Sequence, residues 1–305
     1  MRSILSKFKF GIERVGRPPV VVEIAPGGVL AAALPTLGQA PVCAFQALPP
    51  DSVMPSIIEP NLRSPELVSN AIRATLKQVC PQTQDVTLVL PDISIRVFLL
   101  DFDSLPSDNA SAVPILRFRL RKVVPFDVES ARVSYQVLSR DDTGCKVLVA
   151  IMPGAILREY EAVVRAAEYE PGVVLASSLA ALAALDSPDP ALTACLGDRW
   201  LTTCITKGNE LLLYRTLDLP ADPGLRLTET RRDIAVAAAY YEDKLINRPQ
   251  RLYYSGVGTA QAFASTFDAP EFAIVDLAPW PETAMPMPPG YMSFACIAGA
   301  LAGAR

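Results

Sequence analysis

The sequence predicts an α/β protein of two lobes, with a small α/β unit inserted into the first. Three observations carry that prediction. Each half opens on apolar runs folded about a glycine-bearing turn, at 20–34 and again at 192–214. Short uninterrupted apolar runs, the mark of buried strands, then alternate with segments of helical period. In the first half residues 90–138 add a strand, an amphipathic helix and a second strand of alternating faces. Ser187-Pro188-Asp189-Pro190 reads as a linker, which places one lobe at 18–190, with its inserted unit at about 93–152, and the other at 191–305.

Taken in order, residues 20–24 and 29–34 form a hairpin about Ala25-Pro26-Gly27-Gly28, and a proline-rich connector follows at 48–65. Ser64-Pro65-Glu66 is a helix start, with serine at the cap, proline in the first turn and an acid for the dipole. Val68, Ile72, Leu76 and Val79 recur at helical spacing until Pro81. Residues 86–90 and 94–102 are strands, and an amphipathic helix carries Ile115, Leu116, Phe118, Leu120 and Val123. Val133, Tyr135 and Val137 then alternate with Arg132, Ser134 and Gln136, and a turn at 141–144 leads into a strand at 145–152. A helix at 155–168, a strand at 173–176 and a short helix at 178–185 complete the first lobe. The second has strands at 192–197, 201–206 and 211–214, a long helix at 228–245 and a strand at 251–254. After the Ser255-Gly256-Val257-Gly258 turn come a helix, a strand at 272–277 and a closing helix at 291–302.

Composition removes several function classes. There is no histidine in 305 residues, which excludes Ser-His-Asp and Cys-His mechanisms, imidazole acid–base work and His-ligated zinc. A net charge of −4 without a basic block argues against nucleic acid as partner. The six cysteines show no C-x-x-C spacing and mostly sit in apolar surroundings, so they read as buried free thiols of a reducing cytoplasm. Lys7, Lys9, Glu13 and Arg14 interrupt any signal-peptide pattern. No apolar window is long enough to span a bilayer. Phe8, Phe10 and Ile12 between lysines read as an ordinary leading strand, with a weak interfacial anchor as the alternative.

The order of elements across 90–138 resembles the inserted subdomain of the PilM family, actin-like cytoplasmic proteins of type IV pilus assembly. The resemblance extends over roughly 18–303. It implies an actin-like (ribonuclease H-like) two-domain fold closing around a nucleotide, and ATP with magnesium as the cofactor. Three turns would serve it. The first is Glu23-Ile24-Ala25-Pro26-Gly27-Gly28, where the family pattern has Asp-Ile-Gly and a following lysine. Glu23 keeps the carboxylate and Gly27 and Gly28 keep the small turn, but Pro26 deletes a backbone donor and Leu30 replaces the lysine. A plain glycine-rich hairpin satisfies the same residues. The second is Cys195-Leu196-Gly197-Asp198 with Thr202 and Thr203, where a thiol stands in the place of the metal-organising acid. The third, Tyr254-Ser255-Gly256-Val257-Gly258, resembles the adenosine loop, with Arg231 and Arg232 on the long helix before it. No catalytic or metal-ligating residue is assigned.

The resemblance further implies a protein at the cytoplasmic face of the inner membrane that captures the cytoplasmic tail of a PilN-like single-span protein. The groove would lie between the first lobe and the inserted unit, with the region around 118–126 and the strands beside it contributing. The degenerate phosphate turns predict a scaffold with little or no hydrolysis. A functional actin-like ATPase, an adaptor subunit of a type II secretion platform and self-association into a homo-oligomer remain open at this point.

Overall fold

A two-residue turn at Pro26-Gly27 folds β1 (Val20–Ala25) back on β2 (Gly28–Ala33), with Ala25 opposite Gly28. The computed structural model describes residues 17–34, 40–208, 210–267, 271–279 and 294–303. The N-terminal Lys7–Phe10 stretch and residues 291–293 of the expected closing helix lie outside them. Both strands are buried along their whole length, as their unbroken Val, Ile and Ala runs require. A third strand, β3 (Val42–Ala47), extends the hairpin antiparallel and goes beyond the sequence expectation. It is a half-exposed edge strand, so neither unbroken burial nor a clean alternation marks it in the sequence.

Helix α1 (Pro65–Val79) buries Val68, Ile72, Leu76 and Val79 as the spacing predicts. Its cap differs from expectation, because the Ser64 side chain makes no capping hydrogen bond, and the helix ends in a left-handed residue at Cys80. β4 (Asp85–Leu90) then pairs parallel to β1. A single 3-10 turn at Asp92–Ser94 displaces the next strand, so β5 (Arg96–Phe102) starts two residues later than the apolar run suggests.

The inserted unit follows. Helix α2 (Asn109–Leu120) is capped by Asp108, whose carboxylate accepts from the Ser111 N–H at 2.8 Å. β6 (Ala131–Asp141) and β7 (Gly144–Pro153) complete a three-stranded sheet in the order β5-β7-β6. One face of this sheet, with Val133, Tyr135, Val137, Val147 and Val149, packs under α2. The opposite face, with Val97, Leu99, Leu148, Ala150 and Met152, joins the core of the first lobe. Only Ala112, Leu116 and Leu120 of α2 are buried. Ile115, Phe118 and Val123 are exposed, so the expected apolar face of this helix is split between core and solvent.

The chain returns through α3 (Gly154–Ala166), β8 (Glu170–Ala176) and α4 (Ser177–Leu182). The first sheet therefore reads β3-β2-β1-β4-β8. In the second half β9 (Ala191–Leu196), β10 (Trp200–Lys207) and β11 (Glu210–Asp218) form the antiparallel side. Helix α5 (Pro223–Leu245) begins five residues before the predicted start, because Asp222 caps it by accepting from Leu225 N at 2.9 Å. β12 (Arg251–Gly256), α6 (Ala260–Phe267) and β13 (Ala273–Asp276) finish the second sheet, in the order β11-β10-β9-β12-β13. Strand for strand, with the same parallel and antiparallel pairings, this repeats the first sheet.

Helix α7 (Ala295–Ala302) does not stay with the second sheet. It packs on α4, β1 and β4 of the first. The closing helix of the expected unit 191–305 is thus shared with the first lobe. Small residues make the contact possible: a side chain at Gly299 would overlap the Ala180 carbonyl. One apolar cluster consequently holds Val21 and Leu30 of the first lobe, Cys195 and Leu277 of the second, and Cys296 and Ile297 of α7.

Candidate functional site

The carboxyl ends of β1, β4, β9 and β12 point at the seam between the sheets, where ligands of open α/β sheets usually sit. Four groups from different elements converge there. Glu23, on β1, is only 2% exposed and lies on the same strand face as Val21 and Ala25, toward α7. The Cys296 thiol of α7 hydrogen-bonds to it. Burial first, and then the charge of Glu23, holds the Cys296 thiol well above its usual range. Cys195, on β9, faces the same cluster and is likewise raised by burial and by the nearby Asp92.

Asp92 is the residue that sequence reasoning does not single out. It stands at the end of β4, 1% exposed, and accepts three hydrogen bonds: from Ser177 Oγ at 3.1 Å, from Ser178 N at 3.0 Å and from Thr202 Oγ1 at 2.7 Å. Burial pushes its carboxyl above the usual range, against the pull of those donors. The only sequence signal is position, an acid directly after a buried strand in Leu90-Pro91-Asp92, which also describes an ordinary turn residue.

The bond from Thr202 crosses between lobes, since Asp92 belongs to the first and β10 to the second. Two others do the same. Tyr214 Oη and Ser178 Oγ lie 2.5 Å apart in the interior, and Arg96 holds both carboxylate oxygens of Asp218 at 3.0 and 3.1 Å at the rim. Tyr214, Leu211 and Cys204 of the second lobe belong to the same apolar cluster as the first-lobe core. Polar bridges and side-chain packing thus join the lobes at the seam.

The predicted turn residues fall into three groups. Glu23 and Thr202 meet at the seam with Asp92 and the thiols. The glycines back it: Gly28 is pressed against the Gln46 carbonyl and the Phe45 ring, and a side chain at Gly197 would overlap the Trp200 indole. Gly27, by contrast, is exposed. Gly256 is buried against the Leu196 carbonyl, with Val257 exposed and Gly258 at φ +81° as the turn into α6. The donors beside that turn and at the start of α6 are engaged within the protein. Ala260 N bonds to Asp276 at 2.9 Å, Ala262 N to Thr259 at 3.1 Å, and the Tyr254 hydroxyl donates to the Val257 carbonyl at 3.0 Å. The Tyr254 ring also stacks on Phe263, with centroids 4.4 Å apart.

Arg232 stands away from this group. It is largely exposed, pairs with Glu229 at 3.8 Å, and lines a hollow with Arg215, Leu217, Asp233 and Val236. The hollow lies on the other face of β10: Thr202 points into the seam, whereas Thr203 bonds to Asp233 of α5 at 3.1 Å. Arg231 is the one that reaches the α6 region, donating to the Phe267 and Thr266 carbonyls. As for a hydrated magnesium ion with phosphates, Glu23 has a thiol as neighbour and Asp92 has three protein donors. Among the described residues no three His, Cys, Asp or Glu side chains converge to hold a metal ion.

No family model matches the chain, and no curated protein matches it in sequence. Solved structures do match in shape. The chain superposes on a structure of the PilM-PilN type IV pilus biogenesis complex with a TM-score of 0.69, covering 95% of this chain and 99% of that one at 16% identity. Together with the duplicated sheet, that decides the architecture. The fold is actin-like. A second neighbour in shape is the cytoplasmic domain of EpsL, an inner membrane component of the type II secretion system of Vibrio cholerae. There the TM-score is 0.53, the identity 12%, and the coverage 94% of this chain and 95% of that one. Asp92, Thr202, Glu23 and Cys296 occupy the seam between the lobes. No helix among the described residues is long and apolar enough to cross a membrane.

Proposed function

We propose that this chain is a PilM-like actin-fold scaffold that captures the cytoplasmic tail of a PilN-like inner-membrane protein in type IV pilus assembly, without turning over ATP. The observation that carries the reading is the buried Asp92–Thr202 bond across the seam. A clamp that opens and closes on nucleotide needs that interface free, and here it is shared core. The lobes at 18–190 and 191–305 then act as one rigid frame. Glu23, Gly27, Gly28, Gly197, Thr202, Gly256, Val257 and Gly258 are remnants of a nucleotide site, and Arg232 has no part in it. The protein works at the cytoplasmic face of the inner membrane, held there by its partner.

The tail site would lie on the face of β5-β7-β6 turned toward the first lobe, since α2 covers the other. That face carries half-exposed Leu99, Leu138 and Ala150. It also carries Gln136, 7% exposed, whose Oε1 has no hydrogen-bond partner. An orphan acceptor beside apolar side chains on an edge strand suits an extended peptide, whose backbone N–H groups are free to donate. Of the regions expected to contribute, the strands would carry this site, and residues 118–126 lie on the α2 side of the sheet.

Calorimetric titration of the chain with a synthetic tail peptide, from the single-span membrane protein encoded beside it, tests the reading. Binding at micromolar affinity or tighter is expected, weakened about three- to tenfold by Gln136→Ala, the worth of one hydrogen bond. Absence of binding with and without nucleotide rejects it. Phosphate release from ATP is expected to equal that of buffer, and a rate abolished by Glu23→Ala would establish a working ATPase instead. The likeness to the EpsL cytoplasmic domain favours one second reading, an adaptor of a type II secretion platform. A peptide from that system binding in place of the pilus one would select it.

A further inference from the structure

The outward side of the inserted unit has a composition unlike the rest of this acidic chain, and it corrects the expectation that no basic block is present. From Arg117 to Val123 the sequence is Arg-Phe-Arg-Leu-Arg-Lys-Val, and only Leu120 of these is buried. Phe118 is 74% exposed, Val123 58% and Ile115 39%. Phe118 stands opposite the buried Leu116 and Leu120, so core packing does not explain it. The acids nearby are engaged: Glu129 pairs with Arg121 at 2.9 Å, and Asp127 accepts from the Glu129 and Ser130 N–H groups, close to Arg117. Arg117 itself donates to the Ala131 carbonyl at 2.9 Å. Among the described residues, Arg119 and Lys122 have no ion-pair partner, and they flank the exposed apolar side chains.

We infer that this end of α2 is a docking surface for an anionic phospholipid bilayer, with Phe118 and Val123 entering the acyl boundary while Arg119 and Lys122 meet headgroup phosphates. Charge complementarity selects an anionic partner, since the chain as a whole is net −4 and this patch is net basic. Shape selects a surface over a peptide. The side chains project from the outside of a helix rather than lining a groove, and a protruding aromatic with flanking cations is what interfacial insertion needs. The surface lies on the side of the inserted sheet away from the first lobe, so it does not compete with the proposed tail site and does not depend on it.

Flotation of the full chain with vesicles tests this. Vesicles of phosphatidylcholine containing phosphatidylglycerol should carry the protein, pure phosphatidylcholine should not, and added salt should release it. Arg119→Gln with Lys122→Gln should weaken partitioning about thirtyfold, at the usual contribution of a basic side chain near an anionic surface. Phe118→Ser should weaken it while leaving the salt dependence in place. Ile246→Ser, an exposed apolar residue of the second lobe, should change nothing. All four substituted positions are exposed, so thermal unfolding of each variant should match the parent. Failure of the parent chain to float with anionic vesicles overturns the inference and leaves an acidic protein partner as the occupant. Flotation that survives both sets of substitutions overturns it as well, by assigning the binding to another segment.

Discussion

The two lobes share one strand order and differ in what their strand ends do. In the first, β1 carries Glu23 near its end and runs into an exposed Gly27, and the β4-to-β8 crossover has room for a complete inserted unit. In the second, β9 ends in Cys195 and a Gly197 packed under Trp200, and the β12-to-β13 crossover is one short helix. A duplicated scaffold thus tolerates unequal turns. Where the two sets of strand ends meet, a carboxylate from one lobe takes a hydroxyl from the other, and the symmetry-related positions become shared core. The difference suggests that lobe architecture is held by sheet pairing and apolar burial, which survive changes in the turns, while phosphate chemistry needs particular donors and acids at those turns.

Substitutions can break or sharpen the contrast. The largest effect is expected at the seam. Asp92→Ala leaves the Ser178 N–H and the Thr202 and Ser177 hydroxyls without their buried acceptor, and should cost about 3–5 kcal/mol in urea unfolding. A loss below about 1 kcal/mol would show that the interlobe bond is incidental. Next come the two turns. Gly197→Ala and Gly28→Ala should each cost about 1–3 kcal/mol through overpacking. Only Gly197→Ala, which must displace the Trp200 indole, should shift the emission of that residue, measured with Trp280 replaced by Phe. Equal shifts from both would mean that the turns are not locally independent.

A smaller effect is expected from pH. Asp92 has a folded-state carboxyl raised above the ordinary 3.8, so the folded chain binds that proton more tightly than the unfolded one. Its contribution is full below 3.8 and is lost as pH rises through the raised value. Stability of the wild type relative to Asp92→Asn should therefore fall from acid toward neutral pH, read as urea midpoints. A relative gain over that range would refute the assignment. The smallest effect belongs to the rim: Arg96→Ala removes a partly exposed pair with Asp218 and should cost no more than about 1 kcal/mol.

How much is legible in the chain varies residue by residue. The turns after Glu23 and Cys195 stand out because glycine directly after an apolar run marks where a buried strand stops and the chain reverses. Asp92 does not, because a lone acid after a proline is an ordinary solvated turn until Thr202, more than a hundred residues away, is seen to bond to it. The resemblance groups Arg232 with the Gly256 turn, and helical spacing does not say which neighbour lies against which face of α5. The same blindness to neighbours groups Phe118 with Leu116 and Leu120 as apolar residues of α2, without telling core from surface.

The sequence by itself determined the periodic elements, the duplicated hairpins, the inserted unit and the absence of imidazole chemistry. These follow from local rules of backbone geometry and from which residue types are present. Only the tertiary structure decided that α7 returns to the first lobe, that the seam is closed by Asp92 and Thr202, and that Phe118 faces outward. Those depend on contacts between residues far apart in the chain, and periodicity marks a face as apolar without naming what will cover it.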